Sequence, residues 1–228
     1  MPTVVLFDID GTLVSTGGAG RRAMELAFEE IAGSAAPLRT MSFGGMTDFA
    51  IVGTALRSLD QPADEDAIGA VLDRYIAHLP RELDKTTNYV IHSGVQELLA
   101  WLGPQSEMAI GLGTGNIERG ARLKLGVGGL NDHFSFGGFG SDAEARAELI
   151  RRGAERGATA LQVRLEDCRV VVIGDTVRDV TAAHAIGATC VAVGTGGVAL
   201  HELEEAGARW VVEDLTDPSI RHEVFERR

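Results

Sequence analysis

The chain is poor in several residue types, and each shortage narrows what the protein can be. Its only cysteines, Cys168 and Cys190, have no ligand-like spacing to histidine, which favours packed, reduced thiols in a cytoplasmic protein. No apolar run approaches the roughly 20 residues that span a bilayer, and the first three residues lead directly into a predicted strand, unlike a signal peptide. We therefore expect a cytoplasmic protein with no membrane partner.

Positive charge is also scarce. Lysine and arginine together number 21 against 33 acidic residues, giving a net charge of −12. This balance argues against nucleic-acid binding, which depends on basic surface, and it means that any anion site must be built locally. The chain has only two lysines, Lys85 and Lys124. Where lysine is so rare, its presence is a weak indication that the position needs a compact ammonium group.

The most informative stretch that is present is an apolar run, Val4 to Phe7, followed by Asp8, Asp10 and Gly11. The run has the length and β-branched content of a buried parallel strand, and ligands sit beyond the carboxyl ends of such strands. Residues two apart in an extended segment share a face, so the two carboxylates would repel each other. Either a cation between them or a nucleophile paired with an acid/base would account for the pair.

The rest of the chain alternates strand-like and helix-like patterns, which predicts an α/β fold with a doubly wound parallel sheet. One segment breaks the alternation, because 17–85 has three helical patterns and no convincing strand. We interpret it as a helical cap domain over the two aspartates, inserted in a core of 1–16 and 86–228. The predicted strands are 3–8, 108–114, 170–175, 189–194 and 210–212. The predicted helices are 21–31, 48–59, 64–83, 95–102, 117–125, 143–156, 177–186 and 200–206.

Three more features fall at or after the carboxyl ends of predicted strands. Thr114-Gly115-Asn116 offers a hydroxyl and exposed N–H groups, which suit a phosphate, although a helix cap with a tight turn is the better explanation when the segment is taken alone. Asp175 and Asp179 are one helical turn apart and can face one point, or they can be a capping acid and a solvated one. Lys124 lies on the helix after Thr114, where most lysines are solvated.

Taken together, these features resemble the haloacid dehalogenase superfamily, and in particular its phosphoglycolate phosphatase-like members. Asp8-Ile9-Asp10-Gly11-Thr12-Leu13 is similar to the first motif of that family, Thr114 to the second, and Gly174-Asp175 with Asp179 to the fourth. Lys124 is assigned to the third motif by position, because it lacks the Lys-Pro signature common in relatives. The resemblance spans the whole chain and implies a Rossmann-like core with a helical cap.

The resemblance implies a Mg²⁺-dependent phosphatase acting on a small phosphorylated metabolite through an aspartyl-phosphate. Asp8 would attack phosphorus, and Asp10 would protonate the leaving alkoxide and then activate water. The Asp8 side chain, the Asp10 carbonyl and Asp175 would bind Mg²⁺, with Asp179 behind them in the metal site. The implied phosphate-binding residues are Gly11, Thr114, Gly115, Asn116 and Lys124, with Thr114 and Lys124 on the non-bridging oxygens.

Two alternatives stay open. A sugar phosphomutase of the β-phosphoglucomutase type could use the same scaffold if the phosphoenzyme outlived substrate exchange, and a non-catalytic phosphometabolite-binding module would keep the fold alone. Dehalogenation is disfavoured because related dehalogenases lack the second acid, which Asp10 supplies here. We expect a monomer or a homodimer.

Overall fold

The computed structural model describes residues 1–226, and its backbone is built from eight strands and nine α-helices. A further helical segment, Ile220–Glu226, ends the described part of the chain. The strands are β1 (Thr3–Phe7), β2 (Val14–Thr16), β3 (Tyr89–Ile91), β4 (Met108–Thr114), β5 (Gly137–Phe139), β6 (Arg169–Gly174), β7 (Thr189–Val193) and β8 (Trp210–Val212). The helices are α1 (Ala19–Ala32), α2 (Ala36–Thr40), α3 (Asp48–Ser58), α4 (Glu65–Asp84), α5 (Val95–Leu102), α6 (Glu118–Val127), α7 (Arg146–Ala160), α8 (Val177–Ala185) and α9 (Leu200–Glu205).

Six of the strands form one parallel sheet in the order β5-β4-β1-β6-β7-β8. The central strand is β1, whose five residues are all buried, and its Val5 lies between Ile110 of β4 and Val171 of β6. A strand paired on both edges and covered on both faces needs a continuous apolar sequence. This arrangement confirms the predicted doubly wound α/β fold.

Alternate residues of β1 serve the two faces of the sheet, because successive side chains point in opposite directions. Val5 and Phe7 belong to an apolar cluster that contains residues of α5, α6 and the final helical segment. Val4 and Leu6 belong to a second cluster, which contains residues of α7, α8 and α9. Helices therefore cover both faces, and only the ends of the strands are left for a binding site.

The four helices α1 to α4 form an insert with its own apolar core, which includes Phe28, Leu56 and Tyr75. The chain leaves the sheet region through β2 and returns through β3, and these strands pair antiparallel. The insert is therefore attached through a two-stranded ribbon. The exact division into a core of 1–16 and 86–228 and a cap of 17–85 stays a prediction.

Four short elements differ from the sequence prediction. The helix α2 and the strands β2, β3 and β5 were not predicted, because segments of three to five residues show too little periodicity to be identified. Strand β5, with the sequence Gly-Gly-Phe, also lacks β-branched residues. The helix α7 begins at Arg146, three residues later than predicted. Within the described residues, no helix combines the length and the apolar character needed to cross a membrane.

Candidate active site

The predicted site residues meet at the carboxyl edge of the sheet. Asp8 follows β1, Thr114 ends β4 and Asp175 follows β6, and these three strands are neighbours. The parallel pairing brings their ends together, so that residues more than 160 positions apart in the chain come into contact. The hydroxyl of Thr12, for example, donates a hydrogen bond of 2.8 Å to Oδ1 of Asp175.

Asp8 lies at the centre of this edge and is 5% exposed. Its Oδ1 accepts a hydrogen bond of 2.8 Å from the backbone N–H of Ile9, and its Oδ2 lies 2.5 Å from Nη2 of Arg146. Burial raises the pKa of Asp8 to about 6, with Arg146 opposing the shift and Asp179 adding to it. A fixed carboxylate with one oxygen on a cation is suited to attack an electrophile.

Asp8, Asp175 and Asp179 form a cluster in which one oxygen of each lies within 4.8 Å of the others. Burial raises the pKa of Asp175 to about 8, and the charges of Asp8 and Asp179 add to the shift. These pKa values are raised mainly because burial removes water from the carboxylates, and repulsion between the neighbouring acids adds to the effect. A divalent cation among them would relieve that repulsion, and an all-oxygen donor set suits Mg²⁺.

Both oxygens of Asp179 have protein partners, as do those of Asp8, whereas Asp175 has a partner on Oδ1. Its Oδ1 lies 2.8 Å from Nε of Arg146, and its Oδ2 accepts hydrogen bonds from the backbone N–H and the hydroxyl of Thr176. These contacts close a capping box at the start of α8. The placement of Asp179 behind the metal ligands stays a prediction, as does metal binding itself.

Asp10 occupies a different environment from Asp8. Its side chain is 45% exposed and lines a cavity of about 440 Å³ that also reaches Asp8 and Asp175. Its Oδ2 accepts hydrogen bonds from Nζ of Lys124 at 2.6 Å and from Nδ2 of Asn116 at 2.8 Å. The nucleophile candidate and the acid/base candidate are therefore held by different cations.

The predicted phosphate-binding residues lie around the same cavity. Gly11, Gly115, Asn116 and Lys124 line it, and Gly11 has a positive φ of 84°, a conformation that glycine adopts without strain. Thr114 is fully buried and accepts hydrogen bonds from Asn116. Their contacts with phosphate stay a prediction.

Arg146 is a site residue that the sequence analysis missed. It begins α7, directly after the undetected strand β5 and its loop, and it is the cation that contacts Asp8. Lys124, which was assigned to the third motif and to the phosphate oxygens, contacts Asp10. The available sequence signal was an arginine near a glycine-rich segment, and nothing in the sequence distinguishes it from the other arginines of the chain.

The cap contacts the core beside the site through backbone groups of the segment that leads into α3. Nη1 of Arg146 donates to the carbonyl of Gly45 at 3.3 Å, and Arg178 donates to the carbonyl of Gly44. The backbone N–H of Asp48 donates to the carbonyl of Gly115 at 2.8 Å. The cap side of the cavity is lined by Arg21, Met24, Phe43, Met46, Ile51 and Tyr75.

Asp48 is the buried acid of this cap loop. Its Oδ2 accepts a hydrogen bond of 2.8 Å from the backbone N–H of Ile117, at the start of α6. Burial raises the pKa of Asp48 to about 6, and the nearby charge of Lys124 opposes the shift. Asp48 thus joins the cap to the first turn of a core helix at a cost in desolvation.

Comparisons with known proteins identify the scaffold. A sequence model described as "Haloacid dehalogenase-like hydrolase" matches residues 5–193, while no curated protein matches the chain significantly. A hydrolase from Pseudomonas syringae aligns over 99% of each chain, with a TM-score of 0.72 and 21% identity.

Two further solved structures share the fold. A predicted phosphoglycolate phosphatase from Haemophilus somnus 129pt aligns over 98% of each chain, with a TM-score of 0.66 and 16% identity. A protein from Bacteroides vulgatus described provisionally as a β-phosphoglucomutase aligns over 98% of this chain and 88% of its own, with a TM-score of 0.66 and 19% identity. At these identities the likeness establishes the fold alone.

The buried charge of Asp48 predicts a pH-dependent gain in stability for Asp48→Asn. The folded state binds a proton at Asp48 more tightly than the unfolded chain, so this group stabilises the fold most below pH 3.8 and that stabilisation is lost as the pH rises through about 6. Asparagine can still accept from Ile117 without a charge. We expect equal free energies of unfolding near pH 4 and an advantage for the variant, on the order of 2 kcal/mol, above pH 6.

Urea denaturation between pH 4 and pH 8 measures this difference. Asp84→Asn removes an exposed aspartate at the end of α4 and serves as the control, for which no such pH trend is expected. A stability difference for Asp48→Asn that stays constant with pH would contradict the prediction.

Proposed function

The chain belongs to the haloacid dehalogenase-like hydrolase family, and from that membership we propose that it is a Mg²⁺-dependent phosphatase. Its substrate would be a small phosphorylated metabolite, a phosphate monoester, hydrolysed through an aspartyl-phosphate on Asp8. The observation that carries the proposal is the cluster of Asp8, Asp175 and Asp179 beside the cavity-lining Asp10. Asp8 is buried among charges, which suits a nucleophile, and Asp10 is open to the cavity, which suits a group that exchanges protons.

In the first half-reaction, a carboxylate oxygen of Asp8 would form a bond to phosphorus while the bond from phosphorus to the leaving oxygen breaks. Asp10 would give its proton to that leaving oxygen, so the product departs as an alcohol. In the second half-reaction, water would attack phosphorus, Asp10 would take a proton from it, and the bond between phosphorus and Asp8 would break. Inorganic phosphate and the original carboxylate result.

Charge compensation is the main task of the surrounding residues, because a carboxylate and a phosphate repel each other by roughly 4 kcal/mol per unit charge pair at 4 Å and a dielectric near 20. Arg146 would supply part of the compensation, since its guanidinium already contacts Asp8. The Asp8 side chain, the Asp10 carbonyl and Asp175 would hold Mg²⁺, which when bound neutralises negative charge on the phosphate. The hydroxyl of Thr114 and the backbone N–H of Gly115 would orient the phosphate oxygens, and Asn116 would hold Thr114 in place.

A panel of phosphate monoesters tests the substrate, and phosphoglycolate is its first member because the Haemophilus somnus structure of the same fold carries that name. The cavity of about 440 Å³ is in the size range of small-molecule sites. Release of inorganic phosphate would support hydrolysis. Transfer of the phosphoryl group to a second sugar phosphate would instead identify a mutase.

Asp8→Asn should abolish turnover, because an amide cannot form the acyl-phosphate. We expect kcat for p-nitrophenyl phosphate to fall at least about a thousandfold, and we expect no phosphoenzyme to form in acid-quenched samples. Asp167→Asn, an exposed substitution at the opposite edge of the sheet, is the control and should retain full activity. An Asp8→Asn protein as active as the wild type would rule out the mechanism.

Gly11→Ala should weaken Mg²⁺ binding. A β-carbon at Gly11 would lie 2.4 Å from Oδ2 of Asp175, so Asp175 must move. Wild-type protein should be stabilised by about 2.7 kcal/mol when Mg²⁺ is present at 100 times its Kd. Gly11→Ala should lose most of that stabilisation, measured as the shift of the urea midpoint on adding Mg²⁺.

Gly33→Ala is the matched control. Gly33 has a φ of 80°, close to that of Gly11, but no atom lies within 4 Å of its missing β-carbon. The left-handed backbone should cost this variant about 1 kcal/mol of stability, and its response to Mg²⁺ should be that of the wild type. A wild-type response to Mg²⁺ in Gly11→Ala as well would contradict the predicted displacement of Asp175.

A further inference from the structure

Lys124 and Asp10 form an ion pair across the site that the proposed phosphatase mechanism does not use. The ammonium of Lys124 lies 2.6 Å from Oδ2 of Asp10 and 2.6 Å from Oδ1 of Asn116, and its side chain is only 6% exposed. Asn116 in turn donates to the same Oδ2 of Asp10 and to Thr114. Two donors therefore converge on one oxygen of Asp10.

This convergence makes the two oxygens of Asp10 inequivalent. Oδ2 already accepts from Lys124 and Asn116, whereas no residue within 1–226 donates to Oδ1. The side chain of Asp10 also lines the cavity. Because Oδ2 points at fixed donors, Oδ1 is the oxygen that can face a leaving group in the cavity.

The cap contributes to the position of Lys124. The backbone of α1 passes close to the Lys124 ammonium, because a β-carbon added to Gly20 would lie 3.2 Å from Nζ of Lys124. The hydroxyl of Tyr75 lies 3.8 Å from the position of that β-carbon. Burial by itself lowers the pKa of Lys124, but the charge of Asp10 and the nearby Tyr75 and Asp48 outweigh it and leave that pKa raised. Lys124 is thus a charged group enclosed between core and cap.

We propose that Lys124 is a positioning residue that fixes the Asp10 carboxyl, so that Oδ1 exchanges the proton with the leaving-group oxygen. Oδ1 would give its proton to that oxygen as the bond to phosphorus breaks, and it would later take a proton from the attacking water. The hydroxyl of Tyr75 would hold Lys124 in place from the cap. This role rests on the proposed phosphatase function, and it places Lys124 on the leaving-group side of the phosphate.

The leaving group provides the test. An alkoxide must be protonated as it departs, whereas p-nitrophenolate leaves as a stable anion and needs little help. The ratio kcat/KM covers the steps up to phosphoenzyme formation, so the later hydrolysis does not enter. A residue that acts through Asp10 should therefore matter for alkyl phosphates and much less for p-nitrophenyl phosphate. A residue that only maintains the fold should affect both alike.

Lys124→Met removes the ammonium and keeps a side chain of similar length. General acid–base catalysis contributes about 10²- to 10⁴-fold, so we expect kcat/KM for the best alkyl phosphate of the panel to fall at least about tenfold more than for p-nitrophenyl phosphate. Tyr75→Phe should shift the same ratio in the same direction by a smaller factor. Lys124→Arg, which keeps the charge, should recover part of the alkyl activity.

The other lysine of the chain supplies the matched control. Lys85 lies at the end of α4 with its side chain 68% exposed and paired with Glu82, so Lys85→Met should leave the kcat/KM ratio of the two substrates unchanged. If Lys124→Met lowers both substrates by one factor, the positioning role is overturned while the phosphatase function stands. If Lys124→Met does not fold, the same ratio measured in Tyr75→Phe decides, and an unchanged ratio overturns the role. Wild-type protein inactive on every ester would overturn the proposed function and this role together.

Discussion

The guanidinium of Arg146 is the group on which the arrangement of the site depends. Three buried carboxylates share the end of one sheet, and each would raise the energy of the other two. Arg146 contacts Asp8 and Asp179 at once, which its planar fork of donors permits and a lysine's point charge would not. Its third nitrogen, Nη1, donates to the carbonyl of Gly45 in the cap. The same side chain therefore compensates the acids and connects them to the element that covers them.

The closed position of the cap follows from the same chemistry. The cap loop offers backbone carbonyls at Gly44 and Gly45, and the core offers arginines at the point where its acids need them. Asp48 adds a carboxylate that accepts the first free N–H of α6, a group that the helix itself leaves without a partner. Contacts through carbonyls and helix ends do not depend on large apolar surfaces. The apolar cluster of the cap also includes Ile117 and packs against Leu123 of α6, so an apolar contact between core and cap accompanies these polar ones.

The parts of this molecule that could be predicted are those governed by local pattern. The β-branched runs of β1 and β6 and the seven-residue, largely apolar run of β4 indicate strands by themselves, and the residues that follow such strands must share an edge. Strand β5 has two glycines and one aromatic residue, so its place in the sheet comes from pairing with β4 and not from its own sequence. Arg146 was missed for the same reason, because its position depends on β5 and its loop. Lys124 was predicted to lie in the site, but its contact with Asp10 was not predicted. The two residues are 114 positions apart, and the spacing of residues in a sequence predicts only local contacts.

Arg146 pairs with Asp8 and Lys124 pairs with Asp10, and this division explains how two aspartates of one motif can have different roles. Asp8 and Asp10 are two residues apart, but Asp8 is buried against Arg146 and Asp10 is half exposed against Lys124. A single cation shared by both carboxylates would make their environments alike, and one acid could not stay a nucleophile while the other exchanges protons. Because Arg146 comes from α7 and Lys124 from α6, on opposite faces of the sheet, the fold itself keeps the two environments separate. The shortage of lysine is consistent with this division, since one of only two lysines is buried where the second aspartate needs a compact cation.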